Sequence, residues 1–258
     1  RPSEPLMNGS GHESSIVALD IGGANLKASD GREFHASRFF PLWKNPQGIP
    51  DALRQLIAEA PRADRYVATM TGELADCFRT KREGVAAICD AAAEACGPNL
   101  AIYLTDGSFV APDEAKRRHL EAAASNWHAT AALVARCAGA QSGIVVDCGS
   151  TTSDIIPFAG GRVQSVGRTD TDRLASGELV YTGVVRSPVC ALAAQLPIGE
   201  HWAGVAQELF ATTLDVYLVL GDLPEDPDNR ETADGRPATG EYALERLARS
   251  ICADRETF

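Results

Sequence analysis

Val145-Val146-Asp147-Cys148-Gly149-Ser150-Thr151-Thr152-Ser153-Asp154-Ile155-Ile156 reads as strand, tight turn, strand. Short apolar runs flank a turn packed with Gly, Ser and Thr, and an Asp stands at each shoulder. A turn of this kind points several backbone N–H groups and hydroxyls into one small volume, which suits phosphate oxygens. The flanking carboxylates suit a divalent cation that neutralises those oxygens. An ordinary polar hairpin has a similar composition, so one copy alone does not decide between the two.

A second copy stands near the N-terminus: Ile16-Val17-Ala18-Leu19-Asp20-Ile21-Gly22-Gly23-Ala24-Asn25-Leu26-Lys27-Ala28. The plan is again apolar strand, Asp, Gly-rich turn with a polar residue, apolar strand. Asp20 and Asp147 are 127 residues apart (147 − 20), about one domain's worth of chain. One phosphate-hairpin design per lobe is a more specific signal than either hairpin by itself. The pair resembles the two phosphate motifs of the sugar kinase, heat-shock ATPase and actin superfamily. That resemblance implies an α/β chain with a two-lobed actin-like ATPase (ribonuclease H-like) fold, in which an interlobe cleft closes on a phosphate ester.

Composition bounds the alternatives. The 258 residues suffice for two modest domains, and 24 Lys and Arg against 35 Asp and Glu give a formal net charge of −11. That balance argues against a nucleic-acid or anionic-membrane partner. No apolar run approaches the roughly 20 residues of a membrane helix; the best candidate, Leu214 to Leu223, is interrupted by Asp215 and Asp222. The seven Cys are odd in number and form no Cys-x-x-Cys pair, which points to reduced thiols and a cytoplasmic protein. Cys148 is expected to be a small strand residue facing the core, and the lone His128 a surface or capping residue. The polar, Gly/Ser-rich stretch 1–14 reads as a disordered leader without the apolar core of a signal peptide.

The first lobe is expected over 15–138 and the second over 139–258. Expected strands are Ile16–Asp20, Asn25–Ser29, Arg32–Phe39, Arg65–Met70, Ala101–Leu104 and Arg162–Val166. Helices are expected over Ala52–Ala60 with Asp51 as cap, Val85–Ala95, from Pro112 to Cys137 with a break near Ser125–His128, Glu208–Leu220 and Glu241–Ala253. Phe39 to Lys44 reads as a packed corner, and Arg168 to Arg173 as a charged turn. Polar residues directly after a buried strand are where open α/β sheets place chemistry, and Glu73, Asp76, Arg79 and Lys81 follow Arg65–Met70. Glu73 and Asp76 share a face if the turn is helical; a solvated helix start with acidic residues in its first turn has the same spacing.

Several segments together extend the resemblance. Phe40-Pro41-Leu42-Trp43-Lys44, Thr69-Met70-Thr71-Gly72-Glu73-Leu74-Ala75-Asp76-Cys77-Phe78, Ser125-Asn126-Trp127, the 147–155 hairpin and Gly177-Glu178-Leu179-Val180-Tyr181-Thr182-Gly183 occur in this order. They resemble the hydantoinase A/oxoprolinase-like proteins of tetrahydromethanopterin-linked one-carbon metabolism, from about Ile16 to the end of the chain. The superfamily's Gly-rich adenosine turn and returning helix are not visible, so the resemblance implies a second lobe lacking its C-terminal end, or a protein that does not grip adenosine in the usual way.

The resemblance implies a transferase of methanofuran or methylofuran biosynthesis. It would condense an aminomethylfuran-methanol diphosphate with a phenolic tyramine- or tyrosine-type substrate and release diphosphate. In this scheme Gly22, Gly23, Asn25, Gly149, Ser150, Thr151 and Thr152 bind phosphate. Asp20, Asp147 and Asp154 hold Mg²⁺ or another divalent cation; Lys27, Arg79 and Lys81 assist; Glu73 or Asp76 takes the phenol proton. ATP is possible but not required in this reading. An ATP-dependent small-molecule kinase or hydantoinase/oxoprolinase-like hydrolase is the first alternative, and a non-catalytic nucleotide-binding protein the second. The partners expected are small molecules, with no nucleic acid or membrane and with homo-oligomerisation left open.

Overall fold

Alternation sets the first strand. In Ile16–Ile21 (β1), Val17, Leu19 and Ile21 are buried, whereas Ile16, Ala18 and Asp20 turn to the other face. This is a computed structural model that describes residues 15–257; the leader expected over 1–14 lies outside them. β2 (Asn25–Ser29) and β3 (His35–Phe39) continue the hairpin meander. After α1 (Ile49–Ala58), β4 (Arg65–Met70) pairs parallel with β1. α2 (Lys81–Cys96), β5 (Leu100–Tyr103), β6 (Phe109–Val110), α3 (Pro112–Arg117), α4 (His119–Ala122) and α5 (Asn126–Ala138) follow. The six strands order β3-β2-β1-β4-β5-β6, with β1, β4 and β5 parallel and the first three strands antiparallel. An antiparallel meander extended by parallel strands on the far side of its first strand is the ribonuclease H-like arrangement, so the expected fold class holds.

One face of this sheet packs Val17, Leu19, Ile21, Ala68 and Met70 with Leu53 and Leu56 of α1 and Val85 and Ile88 of α2 in a continuous core. At about 25 cal/mol per Å² of apolar area this burial is the main term that holds the unit together. Local signals fix where α2 begins and ends. Thr80 caps it by accepting the Glu83 N–H at 3.1 Å, Glu83 supplies first-turn negative charge, and Gly97 at φ 74° ends it.

The remaining elements are β7 (Ser142–Cys148), β8 (Ser153–Ala159), β9 (Arg162–Val163), α6 (Asp170–Ser176), β10 (Leu179–Val180), α7 (Val189–Leu192), the hairpin β11 (Gln195–Ile198) and β12 (His201–Gly204), α8 (Thr213–Leu220) and α9 (Gly240–Arg249). Their sheet orders β10-β8-β7, with β9 on β8. By contacts the chain forms two compact units. One is the chain up to Ser142 with Phe158–Val163 and Arg168–Asp170; the other is Gly143–Pro157, Gln164–Gly167 and the chain from Thr171 on. In the second, α8 starts with a reciprocal Thr212/Asp215 capping box, and Leu214 and Leu218 pack on Ala238 and Ala243. Arg246 of α9 is buried and donates to Asp215 at 2.8 Å and to Asp234 at 3.0 Å.

Several boundaries differ from the sequence expectation. α1 starts earlier because Pro50 occupies its first turn, so Asp51 lies inside that turn rather than at the cap. The segment from Arg168 is not a plain turn: Asp170–Ser176 is helical. Residues 208–212 are not helical, because Thr212 caps α8 in extended conformation. α9 ends at Arg249. The Ala-rich helix breaks twice, at Arg118 and at Ala123–Ser125. The three short elements β10, β11 and β12 carried too little pattern to be anticipated. All seven cysteines are free thiols, as expected. No helix among the described residues is long and apolar enough to cross a membrane.

Candidate functional site

The two hairpins share their turn geometry. The Gly22 N–H donates to the Asn25 carbonyl at 3.0 Å, and the Gly149 N–H donates to the Thr152 carbonyl at 2.8 Å. Each Gly follows its Asp by two residues, so Asp20 and Asp147 occupy equivalent places at the ends of β1 and β7. The turns leave the following groups, Gly23-Ala24 and Ser150-Thr151, outside the strand ladders, where their N–H groups and hydroxyls can donate to an anion's oxygens.

A Thr-Gly loop backs each turn. Behind the first, the Thr71 and Gly72 N–H groups donate to the Ile21 carbonyl at 3.0 and 3.1 Å. The Leu42 N–H donates to the Gly23 carbonyl at 2.9 Å. Leu42 itself is fully buried, whereas Phe39 and Lys44 are exposed, so the packed corner expected over 39–44 is confined to the middle of the segment. Behind the second turn, the Val184 N–H donates to the Gly149 carbonyl at 3.0 Å, and the Val185 and Arg186 N–H groups to the Ser150 carbonyl at 3.1 and 2.9 Å. Gly183 is obligatory there: a Cβ would lie 2.5 Å from Thr151 N and 2.6 Å from the Gly149 oxygen. The sequence blocks around Thr71-Gly72 and Thr182-Gly183 thus serve as the supports of the two turns.

The carboxylates proposed for a metal are in different circumstances. Asp20 meets Lys27 at 3.3 Å and accepts from the Thr69 hydroxyl at 3.1 Å. Asp20, Lys27 and Thr69 line a pocket of about 590 Å³ on the sheet face opposite α1 and α2, bounded by Leu133 and Arg136 of α5. Asp154 is bound by the buried Arg173 at 2.7 Å. Arg173 also donates to the Glu178 carbonyl at 3.1 Å. The Glu178 carboxylate accepts from the Val166 and Gly167 N–H groups and from the Ser165 and Ser176 hydroxyls. Burial alone would raise its pKa, but these donors hold it below the ordinary carboxylate range. Asp147 is exposed, and its side chain has no partner among the described residues. No group of three or more His, Cys, Asp or Glu among the described residues forms a ligand set. These carboxylates do not make a protein-only cage, and a cation beside one of them would need other oxygens to complete its shell.

Glu73 and Asp76 do not share a helix face. The segment between β4 and α2 is a series of turns that buries Glu73 at 1% exposure and leaves Asp76 exposed. The Glu73 carboxylate accepts from its own N–H and from that of Ala124, the residue with φ 49° between α4 and α5. Its Oε2 has no hydrogen-bond partner among the described residues. Burial pushes its pKa up to about 7; Lys81 lowers it and Asp170 raises it. Lys81 is committed to Asp170 at 2.9 Å, Lys27 to Asp20, and Arg79 is exposed. Gly84 of α2 lets Glu73 approach, since a Cβ there would lie 2.1 Å from the Glu73 carbonyl oxygen.

Two further expectations are corrected. Cys148 is exposed rather than core-facing, because it ends β7 at the turn. His128 is half-buried, and its Nδ1 hydrogen-bonds the Tyr103 hydroxyl at 2.8 Å; burial holds its pKa below the usual range. Arg186 was not singled out from sequence. The signal that could have found it is its position three residues after the Thr-Gly step that backs the second turn.

A family model described as hydantoinase/oxoprolinase matches residues 64–258. The (4-{4-[2-(gamma-L-glutamylamino)ethyl]phenoxymethyl}furan-2-yl)methanamine synthase of Methanocaldococcus jannaschii is 39% identical over 245 residues, covering 93% of this chain and 72% of that protein. The synthase of the same name from Methanococcus vannielii is 39% identical over 111 residues, 43% of this chain and 50% of that protein. Among solved structures, an exopolyphosphatase-like protein covers 58% of this chain and 48% of its own, at 16% identity and a TM-score of 0.29, too low to bear on the fold.

Proposed function

Because the chain belongs to the hydantoinase/oxoprolinase family, we propose that it is a biosynthetic transferase that makes an aryl ether of the methanofuran or methylofuran kind. The observation that carries this reading is the 39% identity, over 93% of the chain, to a synthase whose named product contains a phenoxymethyl link to a furan. The proposed substrates are an aminomethylfuran-methanol diphosphate and a phenolic tyramine- or tyrosine-type compound. The phenolic oxygen bonds to the furfuryl carbon, the bond from that carbon to the diphosphate oxygen breaks, and diphosphate departs with the electron pair.

The residues divide the work. In the first hairpin the Gly23 and Ala24 N–H groups with Asn25, and in the second the Ser150 and Thr151 N–H groups with the Ser150, Thr151 and Thr152 hydroxyls, donate to phosphate oxygens, while the Gly22 and Gly149 N–H groups close the turns. Asp147, with its free carboxylate, would hold Mg²⁺, while Asp20 and Asp154 are oriented by Lys27 and Arg173. When bound, Mg²⁺ stabilises the negative charge that develops on the leaving group. A phenol has a pKa of about 10, so it needs an acceptor for its proton at neutral pH. Glu73 offers an unpartnered oxygen and titrates near neutrality; Asp76 is the exposed carboxylate of the same turns. Glu73→Gln and Asp76→Asn separate them: the acceptor's variant loses the rising limb of the pH–rate profile. The reading as a whole is tested by incubating the protein with both substrates and Mg²⁺ and determining the product mass. An ether of the two substrates supports it, and unreacted substrates refute it.

A further inference from the structure

A diphosphate brings more negative charge than backbone dipoles and hydroxyls comfortably neutralise, and this chain is acidic overall, with a net charge of −11. The first hairpin carries its own cation, Lys27, placed directly across the ladder from Asp20. The second hairpin has none within its strands: its shoulders are Asp147 and Asp154. Arg173, which approaches Asp154, is buried and spent on that carboxylate and on the Glu178 carbonyl.

The loop that backs the second turn supplies the missing charge. Gly183 lies against the turn, held by its N–H to the Ser187 hydroxyl at 2.8 Å and by its carbonyl to the Thr213 hydroxyl at 2.8 Å. Ser187 and Thr213 are buried, and Thr213 opens α8, so the loop is anchored to a helix rather than left free. Three residues on, the Arg186 N–H donates to the Ser150 carbonyl at 2.9 Å. That bond fixes the Arg186 backbone against the turn. Its side chain is exposed and has no ion pair or hydrogen bond among the described residues. An unpaired guanidinium with a fixed root beside a turn of N–H groups and hydroxyls is suited to bidentate binding of phosphate oxygens.

We propose that Arg186 is the phosphate-binding cation of the second hairpin and contacts the diphosphate group, a role that rests on the diphosphate reading above. It follows that Gly183 is kept free of a side chain so that the loop can seat Arg186 over Ser150 and Thr151. The step concerned is binding and leaving-group stabilisation, and Arg186 keeps its proton throughout.

The test is calorimetric titration of inorganic diphosphate in the presence of Mg²⁺ into the unaltered protein, Arg186→Gln, Arg186→Lys and, as a charge control in the other unit, Arg62→Gln. Loss of a charge-assisted contact predicts roughly ten- to hundredfold weaker binding for Arg186→Gln, with Arg186→Lys between and Arg62→Gln unchanged. Affinity for the phenolic amine should not move, and the melting temperature should stay the same because the side chain is exposed. Unaltered diphosphate affinity in Arg186→Gln overturns the proposal while leaving the diphosphate reading intact. Absence of diphosphate binding by the unaltered protein overturns both. An equal loss in Arg62→Gln reduces the effect to net charge and also overturns it.

Discussion

Glu73→Gln should convert a pH-dependent stability into a flat one. The buried carboxyl is lifted from the ordinary 4.5 to about 7, chiefly by burial. Between those values the folded state binds the proton more tightly than the unfolded chain does. A raised pKa contributes stability that is fully present below about 4.5 and is lost as pH rises through about 7. At 1.36 kcal/mol per pH unit the whole loss is about 3 kcal/mol, and roughly 2–3 kcal/mol of it falls between pH 5 and 8. Gln keeps the size and the acceptor for the Ala124 N–H but never ionises. Urea unfolding of both proteins from pH 4 to 8.5 isolates this one group, because every other titration is common to the two and cancels in their difference. The variant should gain on the unaltered protein as pH rises, levelling off above neutrality. Parallel pH profiles would refute the buried, proton-retaining carboxyl. A gain in the opposite direction would mean that the folded state favours the carboxylate, with Lys81 rather than burial in control.

Three other outcomes follow from packing. Gly84→Ala places a Cβ 2.1 Å from the Glu73 carbonyl oxygen, so either the 73–80 turns or α2 must shift; thermal unfolding should show destabilisation of about 1–3 kcal/mol despite Ala's better helix propensity. Asp215→Ala removes both the capping-box acceptor and the nearer of the two carboxylate partners of the fully buried Arg246, leaving Asp234, so denaturant unfolding should report a loss of about 2–4 kcal/mol. Thr80→Ala should cost about 1 kcal/mol through the lost N-cap of α2, with a smaller loss for Thr80→Ser.

Much of the arrangement was legible in the sequence where local chemistry dominates. The two Asp-x-Gly turns could be read because the strand–turn–strand pattern is short-range, and both form the same Gly N–H to carbonyl bond. The alternation of β1 and the break of the Ala-rich helix near Ser125 were legible for the same reason, whereas the break at Arg118 was not. What was not legible depends on partners far along the chain. Nothing local to Asp154 announces that Arg173 will bind it, nor does anything near Glu73 announce that Ala124 will close over it. The same holds for the Thr-Gly supports: their residues were recognisable as a block, but their task appears only when β4 and β10 bring them behind the turns. Residues Arg168 to Arg173 misled because charge and Thr content suggest a turn, whereas the helix Asp170–Ser176 is set by tertiary contacts of its buried Arg173.

The proposed chemistry is an ether-forming displacement of diphosphate without nucleotide. The most direct measurement follows diphosphate and aryl ether together, with aminomethylfuran-methanol diphosphate, a phenolic amine and Mg²⁺ but no ATP. One diphosphate should be released for each ether formed, with turnover falling sharply when the metal is chelated. Ether formation that requires ATP, or conversion of ATP to ADP on a hydroxyl substrate with no ether made, would contradict it.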